Sequence, residues 1–121
     1  MPHLRIETNV KSSDIKDMDS VLKEFSKALA ATTGKPEGYM MVHIVPDQHL
    51  IYGGSSEPCA NAYFMCIGKM GVEENKKHAA NIYPLVEKHL GVKDDRMYIF
   101  FQEAKTSEVG FKGTTFQQIM G

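Results

Sequence analysis

The chain begins with a strict alternation. Leu4, Ile6 and Thr8 stand between Arg5, Glu7 and Asn9, the period-two pattern of a half-buried strand. The period then lengthens. Within SSDIKDMDSVLKEFSKALAATTGKP, the positions Met18, Val21, Leu22, Phe25, Ala28 and Leu29 recur at helical spacing. Ser12 or Ser13 is placed to cap that helix, and Asp14 and Asp17 suit its first turn. Gly34 followed by Pro36 stops it. YMMVHIVPD reads as a second strand ended by Pro46. QHLIYGGSSEP reads as a short strand running into a turn at Gly53 and Gly54, and NAYFMCIGKMG as a third main strand. GVEENKKHAANIYPLVEKHLG predicts a second helix with Val72, Ala79, Ile82, Val86 and Leu90 on its apolar stripe. A kink or local break is expected at Pro84, which cannot bond the Ala80 carbonyl. RMYIFFQ is a fourth main strand, and EVGFKGTTFQQIM a tail of short extended pieces and turns.

The order of elements repeats. Strand, helix, glycine and strand run from Pro2 to Val45 and again from Asn61 to Phe101, with Gly34 and Gly91 ending equivalent helices 57 residues apart. The residues themselves barely match, so the repeat is one of pattern. Two such units with crossover helices predict an α/β (α+β) fold: a four-stranded mixed sheet carrying two helices on one face. YMMVHIV, AYFMCI and MYIFF read as apolar on both faces, so the uncovered face of the sheet is expected to meet another copy of the chain.

Composition narrows the functional classes. The chain has 121 residues, expected to form one domain over 1–121, with 42% apolar residues, 24% charged residues and a formal net charge of −1. No basic block is present, which argues against a nucleic-acid binder held by backbone charge. No apolar run is long enough for a membrane span, and no leader pattern opens the chain. The expectation is therefore no membrane insertion, and a cytoplasmic protein or one secreted by a route without a signal peptide. Cys59 and Cys66 lie seven apart in strand-like sequence, which points them to opposite faces and argues against their pairing.

Few residues carry chemistry by pattern alone. GGSSEP lacks the lysine and spacing of a P-loop, and no G-x-G-x-x-G follows the first strand. The five histidines form no metal signature, and His43, between apolar strand neighbours, reads as a core or interface residue. Tyr83, Met65 and Met70 read as packing residues. Lys35 just beyond a helix end suits the helix dipole. Pro2 suits a strand start, but removal of Met1 would give it a free secondary amine, a base or nucleophile.

A resemblance adds to this reading. TNV at 8–10, TGKP at 33–36, VHIVPDQ at 42–48, GGSSEPCA at 53–60, IGKMG at 67–71, DRMYIFF at 95–101 and VGFKGTTF at 109–116 follow the opening MP. In that order and density the chain closely resembles the macrophage migration inhibitory factor family of the tautomerase superfamily. The resemblance implies two β-α-β units assembled as a homotrimer, with active sites between subunits. It implies Pro2 as the catalytic base and Lys35 as the ligand of a substrate carboxylate, helped by the Ile67 amide. Tyr98 would reach in from a neighbouring subunit, and Met41, Val109, Phe111 and Phe116 would wall an aromatic pocket. The implied substrate is a phenylpyruvate-like aromatic keto acid, with dopachrome-type isomerase activity also in range, and with no cofactor or metal. An amine buried in an apolar pocket beside a lysine loses its proton more readily, so a neutral Pro2 could take a proton from the enol or from the β-carbon of a 2-keto acid.

Three departures qualify the resemblance. Phe100 stands where mammalian members carry an asparagine that contacts ligand across the subunit boundary, so an amide donor is lost and bulk gained. Phe111 replaces a tryptophan at the pocket rim. The C-x-x-C pair is absent, since Cys59 meets Ala62, which rejects a thioredoxin-like role. The resemblance also allows a second function, that of a secreted cytokine-like ligand for a cell-surface receptor with the tautomerase chemistry vestigial.

Overall fold

In the computed structural model, which describes residues 1–120, four strands form one sheet in the order β2-β1-β3-β4. They are β1 (Pro2–Thr8), β2 (Met41–Val45), β3 (Ala60–Ile67) and β4 (Met97–Ala104). β1 and β2 run parallel, as do β3 and β4, and the two pairs meet antiparallel across β1 and β3. Each parallel pair is joined by a helix, α1 (Met18–Thr33) or α2 (Val72–Leu90). This is the expected pair of β-α-β units in a mixed sheet.

Both helices cover one face. Leu4, Ile6, Ala62 and Phe64 of the central strands are fully buried against Val21, Phe25 and Leu29 of α1 and Ile82 and Val86 of α2. α1 starts at Met18 with Asp17 as its cap, the Asp17 carboxylate accepting from the Ser20 amide at 3.2 Å. Ser12–Asp14 form a separate 3-10 turn instead of the first helical turn expected there. The serine cap lost to Asp17 because the apolar stripe begins only at Met18.

Several other expectations are corrected. α2 is continuous through Pro84. Pro84 and Ala80 both lie on the exposed side, where water can satisfy the carbonyl that proline leaves without a donor. Val72 is 76% exposed, and its place on the buried stripe is taken by His78, 1% exposed. The segment read as a strand before Gly53 contributes only an isolated bridge, Tyr52 to Ser55, because Gly53 and Gly54 turn the chain with φ of 59° and 77°. The tail forms a small hairpin, β5 (Gly110–Phe111) and β6 (Thr114–Thr115), and ends in an unforeseen short helix, α3 (Phe116–Met120).

The uncovered sheet face is mixed rather than apolar. One row across it reads His43, Arg5, Tyr63, Phe100, and the next Met41, His3, Met65, Gln102. Tyr63 and Phe100 stack at 5.6 Å, and the Arg5 guanidinium lies 4.6 Å over the Tyr63 ring. His43 is exposed on this face of the single chain rather than buried in the core. The expectation of an apolar face rested on β2, β3 and β4, whereas β1 supplies His3, Arg5 and Glu7 to it.

Candidate functional site

The TGKP stretch sets one side of the site. Gly34 closes α1 in the left-handed conformation, φ 70°, with its amide on the Ala30 carbonyl at 2.9 Å. The buried Thr33 hydroxyl donates to the Leu29 carbonyl at 2.7 Å and accepts from the Lys35 amide at 3.3 Å. The helix end thus turns back on itself and projects Lys35, whose ammonium donates to the Ile67 carbonyl. Ile67 ends β3, and Gly68 and Lys69 follow with φ of 71° and 60°. That loop is tied down from below. The ring of His78 donates through Nε2 to the Lys69 carbonyl at 2.8 Å, and its Nδ1 lies 2.7 Å from the Thr32 hydroxyl.

Pro2 lies beside this junction. It pairs with Cys66 across β1 and β3 and is fully buried. Met1 is still attached, so the Pro2 nitrogen is an amide with no basic lone pair. The Met1 carbonyl accepts from the Ile67 amide at 3.3 Å. The Met1 α-amine sits by Lys35, and its pKa lies below the ordinary 8.0. Burial is the main cause and the Lys35 ammonium the next, while the neighbouring Cys66 pulls weakly the other way.

Above this junction opens a cavity of about 300 Å³, bounded by Met1, Lys35 and Ile67 at one side and by Tyr39, Phe111 and Phe116 as walls. Phe111 and Phe116 stack almost parallel at 5.0 Å, and Tyr39 meets them edge-on at 5.9 and 6.3 Å. A second cavity of about 480 Å³ shares this aromatic wall and adds His3, Met41, Met65 and Val109. The His3 ring titrates below its ordinary range because it is partly buried and faces His43 and Arg5. A groove of about 430 Å³ beside Tyr83 and Pro84 shares no residue with either.

Seven of the expected residues therefore converge: Pro2, Lys35, Ile67, Met41, Val109, Phe111 and Phe116. Two do not. Tyr98 lies opposite Asn61, which lies opposite Glu7, five residues along β1 from Pro2. At the strand rise this is about 17 Å away. Tyr98 and Phe100 are 58% and 53% exposed on β4, and Tyr98 accepts from the Tyr52 hydroxyl at 3.2 Å and packs edge-on against the Tyr52 and Phe100 rings. The lining of the first cavity beyond Met1 includes five residues not foreseen for the site: Pro36, Tyr39, Lys112, Ile119 and Met120. Their signal was faint, a lysine before a turn glycine and two apolar residues in the tail.

Among the described residues no group of three His, Cys, Asp or Glu side chains is placed to hold a metal ion. No described helix is long and apolar enough to cross a membrane.

Comparison with known proteins bears on the fold and the family. The family model described as macrophage migration inhibitory factor matches residues 1–117. The macrophage migration inhibitory factor of Xenopus laevis is 37% identical over 116 residues, which cover 96% of this chain and 99% of the relative. The homolog from Brugia malayi is 35% identical over the same shares. Among solved structures, the Trichinella spiralis factor superposes with a TM-score of 0.89 at 34% identity, covering 94% of this chain and 99% of the other. The homologue from Prochlorococcus marinus gives 0.89 at 28% identity, covering 94% and 98%.

Proposed function

The chain belongs to the macrophage migration inhibitory factor family, and from that premise we propose that it is a keto–enol tautomerase of phenylpyruvate-like aromatic 2-keto acids. The observation that carries this is the place of Met1. Its carbonyl occupies the hydrogen bond of the Ile67 amide, and its amine lies beside Lys35. Loss of Met1 would leave the Ile67 N–H and the Lys35 ammonium facing a vacated position, with a free Pro2 amine next to it. A substrate carboxylate is the acceptor that suits those two donors.

The chemistry follows from that placement. Burial and the Lys35 charge depress the amine that now ends the chain, and they would act on the Pro2 amine in the same direction. A neutral Pro2 takes a proton from C3 of the keto acid, the electron pair moves onto the C2 oxygen, and protonation there gives the enol. The reverse path returns the proton from Pro2 to C3. Lys35 holds the carboxylate, and its positive charge beside the C2 oxygen offsets part of the enolate charge through space. The aromatic walls hold the ring, with Phe111 and Phe116 on one side and Tyr39 on another.

The site is completed by assembly. Tyr98 and Phe100 sit on the β4 edge, too far from Pro2 of the same chain to touch its substrate. Met41 sits on the opposite edge strand, at the cavity. Head-to-tail contact of β4 with β2 of the next copy brings Tyr98 toward that copy's cavity, and three such contacts close a ring.

The test is an intact mass paired with phenylpyruvate turnover on the same sample. A mass lacking Met1 with turnover that Pro2→Gly abolishes is expected. Loss of Met1 with no turnover would refute the tautomerase reading. The names of the relatives favour a second reading, a receptor ligand. Receptor signalling that survives in Pro2→Gly would separate that role from catalysis.

A further inference from the structure

We propose that Lys112 is a specificity-determining residue which, with Lys35, makes the cavity selective for aromatic carboxylates bearing a second anionic group. The proposal rests on the reading of the cavity as a carboxylate site. Among the described residues, the side chains bounding it include two ammonium groups, Lys35 and Lys112, and no carboxylate. Neither lysine has an Asp or Glu within ion-pair distance among the described residues. The two ammonium groups rest against different parts of the cavity lining. Lys35 is fastened to the Ile67 carbonyl, whereas the Lys112 ammonium lies 5.4 Å over the Phe111 ring.

The backbone at Lys112 is also unusual. β5 and β6 are joined by the two-residue turn Lys112-Gly113, with φ of 53° and 77°. A hairpin turn with both φ positive favours asparagine, aspartate or glycine first, because the left-handed backbone crowds a Cβ, which glycine lacks and which Asn or Asp offset by local hydrogen bonds. A lysine in that position works against the turn, which is the pattern seen where a side chain is kept for what it binds. The same cavity is walled by the stacked pair Phe111 and Phe116, with Tyr39 edge-on to it. An aromatic ring in that slot would carry one anion toward Lys35 and a second toward Lys112. A single carboxylate uses only the first.

Calorimetric titration with two inert ligands tests this, on protein whose loss of Met1 is verified by mass. The ligands are 3-phenylpropionate and 3-(4-carboxyphenyl)propionate. The parent protein is expected to bind the dianion about three- to fivefold more tightly, as suits one partly exposed ion pair. Lys112→Asn, which fits the turn, should bring the ratio close to one without lowering the melting temperature. Lys112→Arg should keep the ratio, and added salt should shrink it. A parent ratio of one, a ratio unchanged in Lys112→Asn, or its loss in Lys112→Arg would each overturn the role of Lys112. Binding of neither ligand would instead refute the carboxylate site itself, and the proposal with it.

Discussion

Replacing Lys35 by methionine keeps the aliphatic stem and removes the charge. Its ammonium has three N–H groups and gives one to the Ile67 carbonyl, which leaves two for a substrate carboxylate. A charge-assisted hydrogen bond of this kind contributes about 1.5–3 kcal/mol. Its loss should lower kcat/KM for phenylpyruvate by about 10- to 150-fold. Most of the loss should enter through KM, since the carboxylate is held in both ground and transition states. A second effect has an independent signature. Burial is the first cause of the depressed Met1 amine and Lys35 the second; the same neighbours would surround a Pro2 amine after loss of Met1, so without Lys35 that amine should hold its proton to higher pH. The base acts deprotonated, so the rising limb of the pH–rate profile should move to higher pH in Lys35→Met. Initial rates followed through enol absorbance across that limb, with circular dichroism to check the fold, measure both effects. An unchanged KM together with an unmoved limb would remove Lys35 from the site. A limb displaced to lower pH would reverse the electrostatic argument.

Three further outcomes are expected. Sedimentation at micromolar concentration should give a trimer, and a well-folded monomer would refute the ring. His78→Ala strips the partner from both the Thr32 hydroxyl and the Lys69 carbonyl and leaves a void, so it should cost about 2–4 kcal/mol in urea unfolding at fixed protein concentration. A loss below about 0.5 kcal/mol would mean that the tether carries no strain-free packing of its own. Glu24 bridges the helices, and Lys88 first and His89 second hold its carboxyl below the ordinary 4.5. A folded-state pKa below the unfolded one stabilises above the unfolded value, and the gain is lost as pH falls through the folded value. Glu24→Gln should therefore lower the melting temperature at neutral pH and not at about pH 3. A difference that persists in acid would assign the effect to packing.

The parts of the fold legible in the sequence are those where one local period decides the face. Leu4 and Ile6 alternate with charges, and Val21, Phe25 and Leu29 repeat at helical spacing, so the strand and helix followed directly. His78 was missed because its burial depends on partners in other elements, Thr32 and Lys69, which satisfy both ring nitrogens. The segment before Gly53 failed as a strand, and only Tyr52 pairs, with Ser55 across the turn that Gly53 and Gly54 make with positive φ. In the site, Pro2, Lys35 and Ile67 were reached by resemblance and brought together by the register of β1 against β3 and the cap of α1. Lys112, Ile119 and Met120 were not, because they enter the cavity only when the tail folds back over it.

The sheet argues that assembly and chemistry are one design. β2 and β4 are its edges, and each leaves a row of backbone donors and acceptors without a strand partner. Such edges are normally blunted by proline or charge, and neither edge has a proline within it. The uncovered face cannot act as a plain hydrophobic interface, because Arg5 stands at its centre. The Arg5 Nε is buried with no acceptor, and Glu7 at 4.0 Å is too far to bond it. Burying that face flat against another protein would strand the guanidinium in a dry interface. Joining edges into a ring satisfies the strand backbones and leaves the Arg5 row facing a central space where water can reach it. In the proposed ring the same joining would bring Tyr98 toward a neighbour's cavity. The contact that completes the sheet would then also complete the site, and neither would need a residue that the other does not already place.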